Sequence, residues 1–442
     1  MKILQYTLGL PPYRRGGLPR YSTDLSVELA KTNKVYLLYP GQINPYSKKI
    51  KLTIKNNKYP FRTIEMENAL PVSLGLGISD EKYYMQKRDI SALKRLIKNI
   101  HPDVVHLHTL MGLPKEFLEY VKQKNIKIIY TTHDFYGLCP KMLSADPKES
   151  LKNSKCSYDC LLCNVGPTYK KIIVMQSHIY AKFKDSKIIK KIRSNNKSAL
   201  SENNNGNITF STDQANEKYR LRKYYLEMFK LIDTFHFNSS VSKQYFQMYF
   251  PDLNGKIIPI THDGLKDERK DINFHINTPI HLGYIGPYDE KKGFYLYTKV
   301  LKDLNMNNKF ETHFYGDIAE RSVFKNKSYI NHGVLSSKEL NREYATLDLL
   351  VVPSLWHETF GYVVLEALLK GVPCLVSNNV GSKDLVPRSW IFKDKDELVK
   401  MLTDLINKPI KIQKMKSIVT KLNLDYKMDE HVKKIIAGVY NL

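Results

Sequence analysis

Residues 357–374 read HETFGYVVLEALLKGVPC and set two carboxylates, Glu358 and Glu366, eight positions apart in an apolar run. An ionised side chain in an apolar setting is costly unless something neutralises it, so each glutamate needs a protein partner or a ligand. A carboxylate accepts hydrogen bonds from two adjacent hydroxyls at once, and sugars and ribose present such pairs. The free N–H groups at a helix start, with their partial positive charge, hold phosphate. Together these features fit a nucleotide diphosphate-sugar, with diphosphate at the helix start, sugar hydroxyls on Glu358 and ribose hydroxyls on Glu366. Two glutamates at this spacing also occur with no ligand role, so their surroundings must decide.

The elements that would position them are legible nearby. LLVVPS reads as a buried strand stopped by Pro353. A helix is expected from near Phe360 to Gly371, a residue suited to the left-handed cap, with Pro373 just beyond. Glu358 would then precede the helix, and Glu366 would sit roughly 7–8 Å along its axis. Gly361 leaves room for close approach of a ligand. Strand-like runs alternate with helical patterns through most of the chain. KILQYTL, KVYLLYP, DVVHLHT, KIIYTTHD, FHFNSS and KIIPI form one series, and IHLGYIG, ETHFYG, LLVVPS and PCLVS a second. The alternation predicts an α/β fold with two doubly wound parallel-sheet domains, ligand loops at the strand C-terminal ends and the active cleft between them.

The expected divisions are a first domain over 1–262, a polar linker over 263–278, a second domain over 279–426 and a closing amphipathic helix over 427–442. In that helix Met428, Val432, Ile435 and Val439 recur at helical spacing, and it is expected to cross back to the first domain. The first domain contains a cysteine-bearing loop over 139–163 and a basic, low-complexity insert over 164–218 that includes SNNKSALSENNNGN.

Composition bounds the function classes. The 442 residues are 42% hydrophobic, enough for globular cores, and no run of eighteen apolar residues suggests a membrane span. With Gln5 and Thr7 interrupting the first apolar stretch, a cytoplasmic chain is expected. Lys and Arg number 69 against 44 Asp and Glu, a formal charge of +25, which favours anionic partners without choosing among nucleic acid, lipid and phosphorylated small molecules.

The stretch 347–386, LDLLVVPSLWHETFGYVVLEALLKGVPCLVSNNVGSKDLV, resembles the nucleotide-sugar site of the family four retaining glycosyltransferases (glycosyl transferases group 1), which have the GT-B fold. That family carries a glutamate, seven residues and a second glutamate, matched by Glu358 and Glu366. The resemblance implies donor contacts from Glu358, Thr359, Phe360 and Gly361 and a ribose-binding Glu366. It extends to PPYRRGG, whose Gly16 and Gly17 match a paired-glycine loop near the donor phosphate, and to TTHDF, whose His133 matches a histidine close to the transferred sugar. By itself such a histidine reads first as a structural hydrogen-bonding residue. In GYIGPYDEKKGF, Gly286, Lys292 and Gly293 match the family, and Lys292 is expected to neutralise the leaving diphosphate. The family's arginine is replaced by Pro287, with Lys291, Arg14 and Arg15 as candidates to compensate. Val334 matches a position whose backbone borders the base. The resemblance further implies retention of anomeric configuration, no cofactor or divalent metal in catalysis, and catalytic roles for His133, Glu358 and Lys292.

Two features stand outside that pattern. Cys139, Cys156, Cys160 and Cys163 could bind a structural zinc, or could be buried thiols, and their place after His133 suggests that they shape an acceptor pocket. KFKDSKIIKKIR carries six basic residues and one acidic one, with Phe183, Ile188 and Ile192 near one helical face. Such a helix fits either an anionic membrane surface or a solvated face of the domain. The expectation is a peripheral membrane glycosyltransferase in polysaccharide biosynthesis, acting on a lipid-linked or cell-surface glycan. A nucleic-acid-binding protein on a degenerate GT-B scaffold and a GT-B phosphorylase are the alternatives. No nucleic-acid module with interleaved aromatics supports the former, so nucleic acid is not an expected partner. A nicotinamide enzyme is disfavoured, because GLG at 75–77 lacks the third glycine of the dinucleotide fingerprint.

Overall fold

The computed structural model describes residues 1–138, 167–183, 186 and 212–441, apart from positions 15, 45, 57, 74–77, 272–273, 305, 307 and 319–320. Cys139, Cys156, Cys160, Cys163, Arg15, Ile188, Ile192 and the GLG at 75–77 lie outside the described residues. The chain divides into two compact units, the first comprising Met1–His236, Phe246–Lys256 and Ile435–Leu442, the second Phe237–Tyr245 and Ile257–Lys434.

The first unit is built on a sheet of β1 (Lys2–Tyr6), β2 (Lys34–Pro40), β3 (Lys51–Lys55), β4 (Arg62–Glu67), β5 (Val104–Leu107), β6 (Lys127–Thr131), β7 (Thr234–Phe237) and β8 (Gly255–Ile257). Their order is β3-β4-β2-β1-β5-β6-β7-β8. The pairs from β4 through β7 are parallel, and β3 lies antiparallel to β4. The central strands β1, β5 and β6 are buried along nearly their whole length, as strands covered on both faces must be, and Gln5, His106 and Thr131 are polar residues within them. KLTIK and RTIEME, unanticipated in the sequence, form β3 and β4. Glu65 of β4 is buried yet paired with Lys55 of β3 at 2.6 Å, so the charge that argues against a strand is met across the ladder.

The second unit is built on a parallel sheet of β9 (Ile280–Ile285), β10 (Phe310–Tyr315), β11 (Tyr329–Asn331), β12 (Leu349–Val352), β13 (Cys374–Ser377) and β14 (Ile391–Phe392), in the order β11-β10-β9-β12-β13-β14. The edge strands β11 and β14 span three and two residues, too short for any alternation to register in sequence. Asp348, fully buried just before β12, accepts from the backbone N–H groups of Asn277 (3.2 Å) and His281 (3.0 Å) and lies 3.2 Å from the buried Lys416 Nζ.

Residues 263–278, expected as a linker, belong to the second unit. Arg269 grips Asp267 through Nε and Nη2 (2.8 and 2.6 Å) and donates to the carbonyls of Val419 and Leu422 (3.1 and 2.6 Å). The polarity that reads as a linker serves these local ties. At the other end of the chain, the helix Met428–Ile435 is followed by a wider turn over Ile436–Tyr440. Met428, Val432, Ile435 and Val439 are all buried. Among the described residues no helix is long and apolar enough to cross a membrane.

Candidate active site

In the second unit the expected donor residues sit on loops at the C-terminal ends of the strands. The chain after β9 turns through Gly293, whose φ of +73° favours glycine; a Cβ there would lie 1.8 Å from the Pro353 carbonyl oxygen. This close approach seats the loop after β9 against the loop after β12. The seam is closed by the Lys291 carbonyl, which accepts from the N–H groups of Leu355 and Trp356 (3.0 Å each) and from Ser354 Oγ (3.2 Å). The neighbouring Lys292 is fixed at its N–H by Asp289 Oδ1 (2.8 Å), and its Nζ lies 2.9 Å from Glu358 Oε1.

Glu358 is anchored by its backbone as well. Its N–H donates to the Asn379 carbonyl and its carbonyl accepts from Gly381 N–H, 2.9 Å each, a one-residue bridge to the loop after β13. Thr359 presents its carbonyl to Ser239 Oγ (2.5 Å), and a Cβ on Gly381 would come within 2.0 Å of that same oxygen. Phe360 is buried, with its carbonyl accepting from Ser382 N–H at 2.7 Å. Gly361, at φ +97°, then caps the helix, which runs over Tyr362–Leu369. It starts two residues later than the sequence suggests, because the chain is left-handed at Gly361. Glu366 therefore lies about 6 Å along the axis rather than 7–8. The far end agrees with expectation, Gly371 adopting φ +82°.

Glu366 has partners that the sequence does not reveal. Tyr344 Oη donates to its Oε2 at 3.0 Å, and His262 Nε2 lies 3.4 Å from its Oε1. Both partners are buried, and the Tyr362 ring packs edge-on against His262 with centroids 5.1 Å apart. Burial, then the neighbouring Glu366 charge, drives the Tyr344 phenol well above its ordinary pKa, so it remains a donor. Three glycine-bearing loops adjoin one another: Gly286 N–H donates to Tyr315 O, Gly316 N–H donates to Gly333 O (2.8 and 2.7 Å), and Val334 follows, 64% exposed. Tyr284 Oη donates to the Pro287 carbonyl at 2.7 Å, so the proline in the arginine's place has a fixed backbone. Lys291, one candidate to compensate, holds its ammonium 5.1 Å over the Trp356 ring.

The first unit holds the other expected residues. Gly16, at φ +123°, caps the helix Gly17–Leu29, and a Cβ on it would meet nothing within 4 Å. Tyr21 of that helix packs on His133 at 4.9 Å and on His108 at 5.7 Å between centroids. His133 Nε2 lies 3.2 Å from His108 Nδ1, and His108 Nε2 lies 2.7 Å from Gln5 Oε1. Gln5 Nε2 donates to Tyr440 Oη (3.0 Å), which lies 2.9 Å from His106 Nδ1; His106 Nε2 in turn lies 2.7 Å from Thr131 Oγ1.

Donor direction follows from the ends of this chain. Gln5 Oε1 only accepts, so His108 carries its proton on Nε2, and Nδ1 of the neutral ring accepts from His133 Nε2–H. Burial, then the neighbouring His106, His133 and His236, holds His108 well below the ordinary imidazole range. Burial, then His236, pushes His133 down to about 3. Next to it, burial lifts the Asp134 carboxyl to about 6, opposed by a hydrogen bond from Tyr136 N–H. A cavity of about 260 Å³ in this unit is lined by Tyr13, Arg14, Tyr39, Gln42, Glu65 and Gln176 among others. Arg14 thus borders this cavity, and burial holds its guanidinium below the ordinary range.

The structure therefore joins Lys292, Glu358, Thr359, Phe360 and Gly361 through direct contacts, extends them along the helix to Glu366, and places Gly286 and Val334 on adjoining loops. The sequence reading misses His262, Tyr344, Ser239, Gln5, His106, His108 and Tyr440. One signal was available: two histidines two apart in the otherwise apolar DVVHLHT.

Comparison with known proteins places the chain among glycosyltransferases. The pattern of the glycosyl transferases group 1 matches residues 266–421, and that of glycosyltransferase family 4 matches residues 15–165. Protein CapJ of Staphylococcus aureus is 31% identical over 182 residues, 38% of this chain and 45% of that protein, so the chain spans less than half of that relative. An uncharacterized 42.6 kDa protein in the cps region of Klebsiella pneumoniae is 22% identical over 351 residues, 77% of this chain and 73% of its own. The crystal structure of Anabaena HepE in complex with UDP superposes over 100% of both chains with a TM-score of 0.55 at 13% identity. The chain belongs to the group 1, family 4 glycosyltransferases, and its two units have the parallel α/β architecture of the GT-B fold.

Proposed function

We propose that the protein transfers a sugar from a nucleotide diphosphate-sugar to a glycan acceptor in polysaccharide biosynthesis, with retention of anomeric configuration and no metal in the chemical step. The observation that carries this reading is the Lys292–Glu358 ion pair, 2.9 Å apart, beside the Gly361-capped helix that bears Glu366. In the free protein Glu358 balances Lys292. With donor bound, the ammonium and the helix N–H groups stabilise the charge that grows on the diphosphate, and Glu358 receives sugar hydroxyls. Glu366, held by Tyr344 and close to His262, accepts from the ribose hydroxyls. On the first unit, the Gly16 and Gly17 amides suit the phosphate and the neutral His133 suits a hydrogen bond to the sugar. The cavity bearing Arg14 and Glu65 suits acceptor hydroxyls.

A thermal-shift screen with UDP-, GDP-, ADP- and dTDP-sugars tests the donor. UDP-sugars come first, because HepE was solved with UDP. One donor class is expected to raise the melting temperature and Glu366→Ala to abolish the rise; no shift with any donor would overturn the reading. Product anomer analysis by NMR decides retention.

Association with an anionic membrane surface at the inner face of the cell membrane is the second element of the proposal. In the helices Tyr169–Met175 and His178–Phe183, Val174, Ile179 and Phe183 are 59%, 75% and 54% exposed, with Lys170, Lys171 and Lys182 exposed beside them. Exposed apolar side chains interleaved with lysines suit the headgroup boundary. Flotation with anionic vesicles should recover the protein in a salt-sensitive manner and fail for Ile179→Glu/Phe183→Glu. Equal flotation of wild type and variant would remove this element. A structural zinc on Cys139, Cys156, Cys160 and Cys163 is a separate proposal, decided by zinc content before and after their replacement by serine.

A further inference from the structure

His281, Glu311 and His313 stand together in the second unit, toward the opposite end of β9 from Gly286 and Lys292. Glu311 and His313 are two apart on β10 and so share a face of the sheet. The register sets Glu311 beside His281 of β9 and His313 beside Gly283. A side chain at 283 is excluded, because a Cβ there would lie 2.4 Å from Leu347 Cδ1. The segment carrying Leu347 therefore covers this face.

The three side chains each offer one ligand atom, and those atoms lie within 4.8 Å of one another; His281 Nε2 and Glu311 Oε2 are 3.7 Å apart. Atoms bound tetrahedrally to one zinc ion at about 2.0–2.2 Å are separated by about 3.4 Å, so small side-chain rotations complete the set. Hydrogen bonds already orient both imidazoles. His281 Nδ1 lies 3.0 Å from the Thr346 carbonyl, which can only accept, so the proton is on Nδ1 and the lone pair of the neutral ring is on Nε2. His313 Nδ1 is engaged by His332 Nε2 at 3.0 Å. Its Nε2 is buried without a hydrogen-bond partner, in a residue only 8% exposed. Buried polar atoms are nearly always satisfied, and a metal-ligating histidine uses its other nitrogen in this way.

We propose that His281, Glu311 and His313 form a zinc-type divalent cation site that clasps β9 to β10 beneath residues 344–348. Two imidazoles and one carboxylate suit zinc over the oxygen-seeking magnesium and calcium, and leave a further coordination position for water. The Glu311 side chain is 35% exposed and provides the route by which the ion enters. The site requires no nucleotide and does not depend on the proposed transfer reaction.

The test uses full-length, chelator-stripped protein in which Cys139, Cys156, Cys160 and Cys163 are serine, compared with the same protein carrying Glu311→Gln or His281→Gln. Zinc is added, excess is removed by dialysis, and bound metal and melting temperature are measured. One equivalent per chain and a zinc-dependent rise in melting temperature are expected, with binding at least about tenfold weaker in both variants. Glu311→Gln is the decisive change, because a partly exposed amide isostere leaves the packing around His313 intact. Should the cysteine-free protein fail to fold, cobalt absorption of the wild-type chain replaces it: a d–d component additional to any thiolate charge-transfer band, lost on Glu311→Gln, is expected. No bound zinc in the cysteine-free protein, equal zinc in both variants, or an unchanged cobalt band would overturn the site.

Discussion

The two units arrange their buried and half-buried polar residues in opposite electrostatic ways. In the second, charged groups stand in pairs: Lys292 with Glu358 beside the loops, Lys416 with Asp348 in the core. In the first, His106, His108 and His133 lie in a chain of hydrogen bonds in which burial keeps His108 and His133 uncharged. Paired charges can be re-partnered by an incoming anion, whereas a neutral chain fixes proton positions before any ligand arrives. On the proposed function, the paired charges would receive the diphosphate and the neutral chain would present a fixed hydrogen-bond pattern to an uncharged sugar.

The largest effect is expected in the core of the second unit. Lys416→Ala leaves Asp348 buried without its cation and should cost about 3–5 kcal/mol in urea denaturation, whereas the exposed Lys395→Ala, removing a surface pair with Asp303, should leave the urea midpoint nearly unchanged. Lys292→Ala comes next. If Lys292 stabilises the departing diphosphate as proposed, the change should lower kcat by about 10²–10³-fold with a small change in melting temperature. Equal loss of stability and activity would assign Lys292 to architecture instead. For Glu366→Ala, donor affinity by calorimetry should fall about 10–100-fold, the worth of hydrogen bonds to a charged acceptor.

The smallest effect sharpens the other side of the contrast. His133 falls from 6.5 to about 3 on folding, so its contribution to stability is full above pH 6.5 and is lost as pH drops toward 3. Asp134 acts in the opposite sense, rising from 3.8 to about 6, so its contribution is present below 3.8 and lost as pH climbs through 6. His133→Gln should therefore flatten the decline of melting temperature between pH 7 and 5, and NMR should find the His133 ring neutral throughout that range. A ring titrating near 6.5 would show that it is not desolvated.

Legibility in the sequence tracked how local each constraint is. Glu358, Gly361 and Glu366 could be read because one loop and one helix fix their spacing, whereas Lys292 was reached only through the family resemblance of GYIGPYDEKKGF. His262, Tyr344 and Ser239 could not, since each reaches Glu366 or Thr359 from a distant segment. The apolar strands of both sheets were visible as runs of β-branched residues. RTIEME was not, because the pairing that tolerates Glu65 belongs to Lys55 ten residues earlier. The tautomer of His108 depends on a glutamine near the chain start and a tyrosine near its end, a relation that no periodicity encodes.

The Lys291 carbonyl, which receives Leu355, Trp356 and Ser354, carries a consequence for mutational mapping. The atom that joins the two loops belongs to the main chain, so alanine scanning at 291 removes only the ammonium resting on Trp356 and leaves the joint intact. The residue would score as dispensable while its oxygen is indispensable. The joint is vulnerable instead at 355 and 356, where proline would delete a donor, so tolerance of every residue but proline there is its genetic signature.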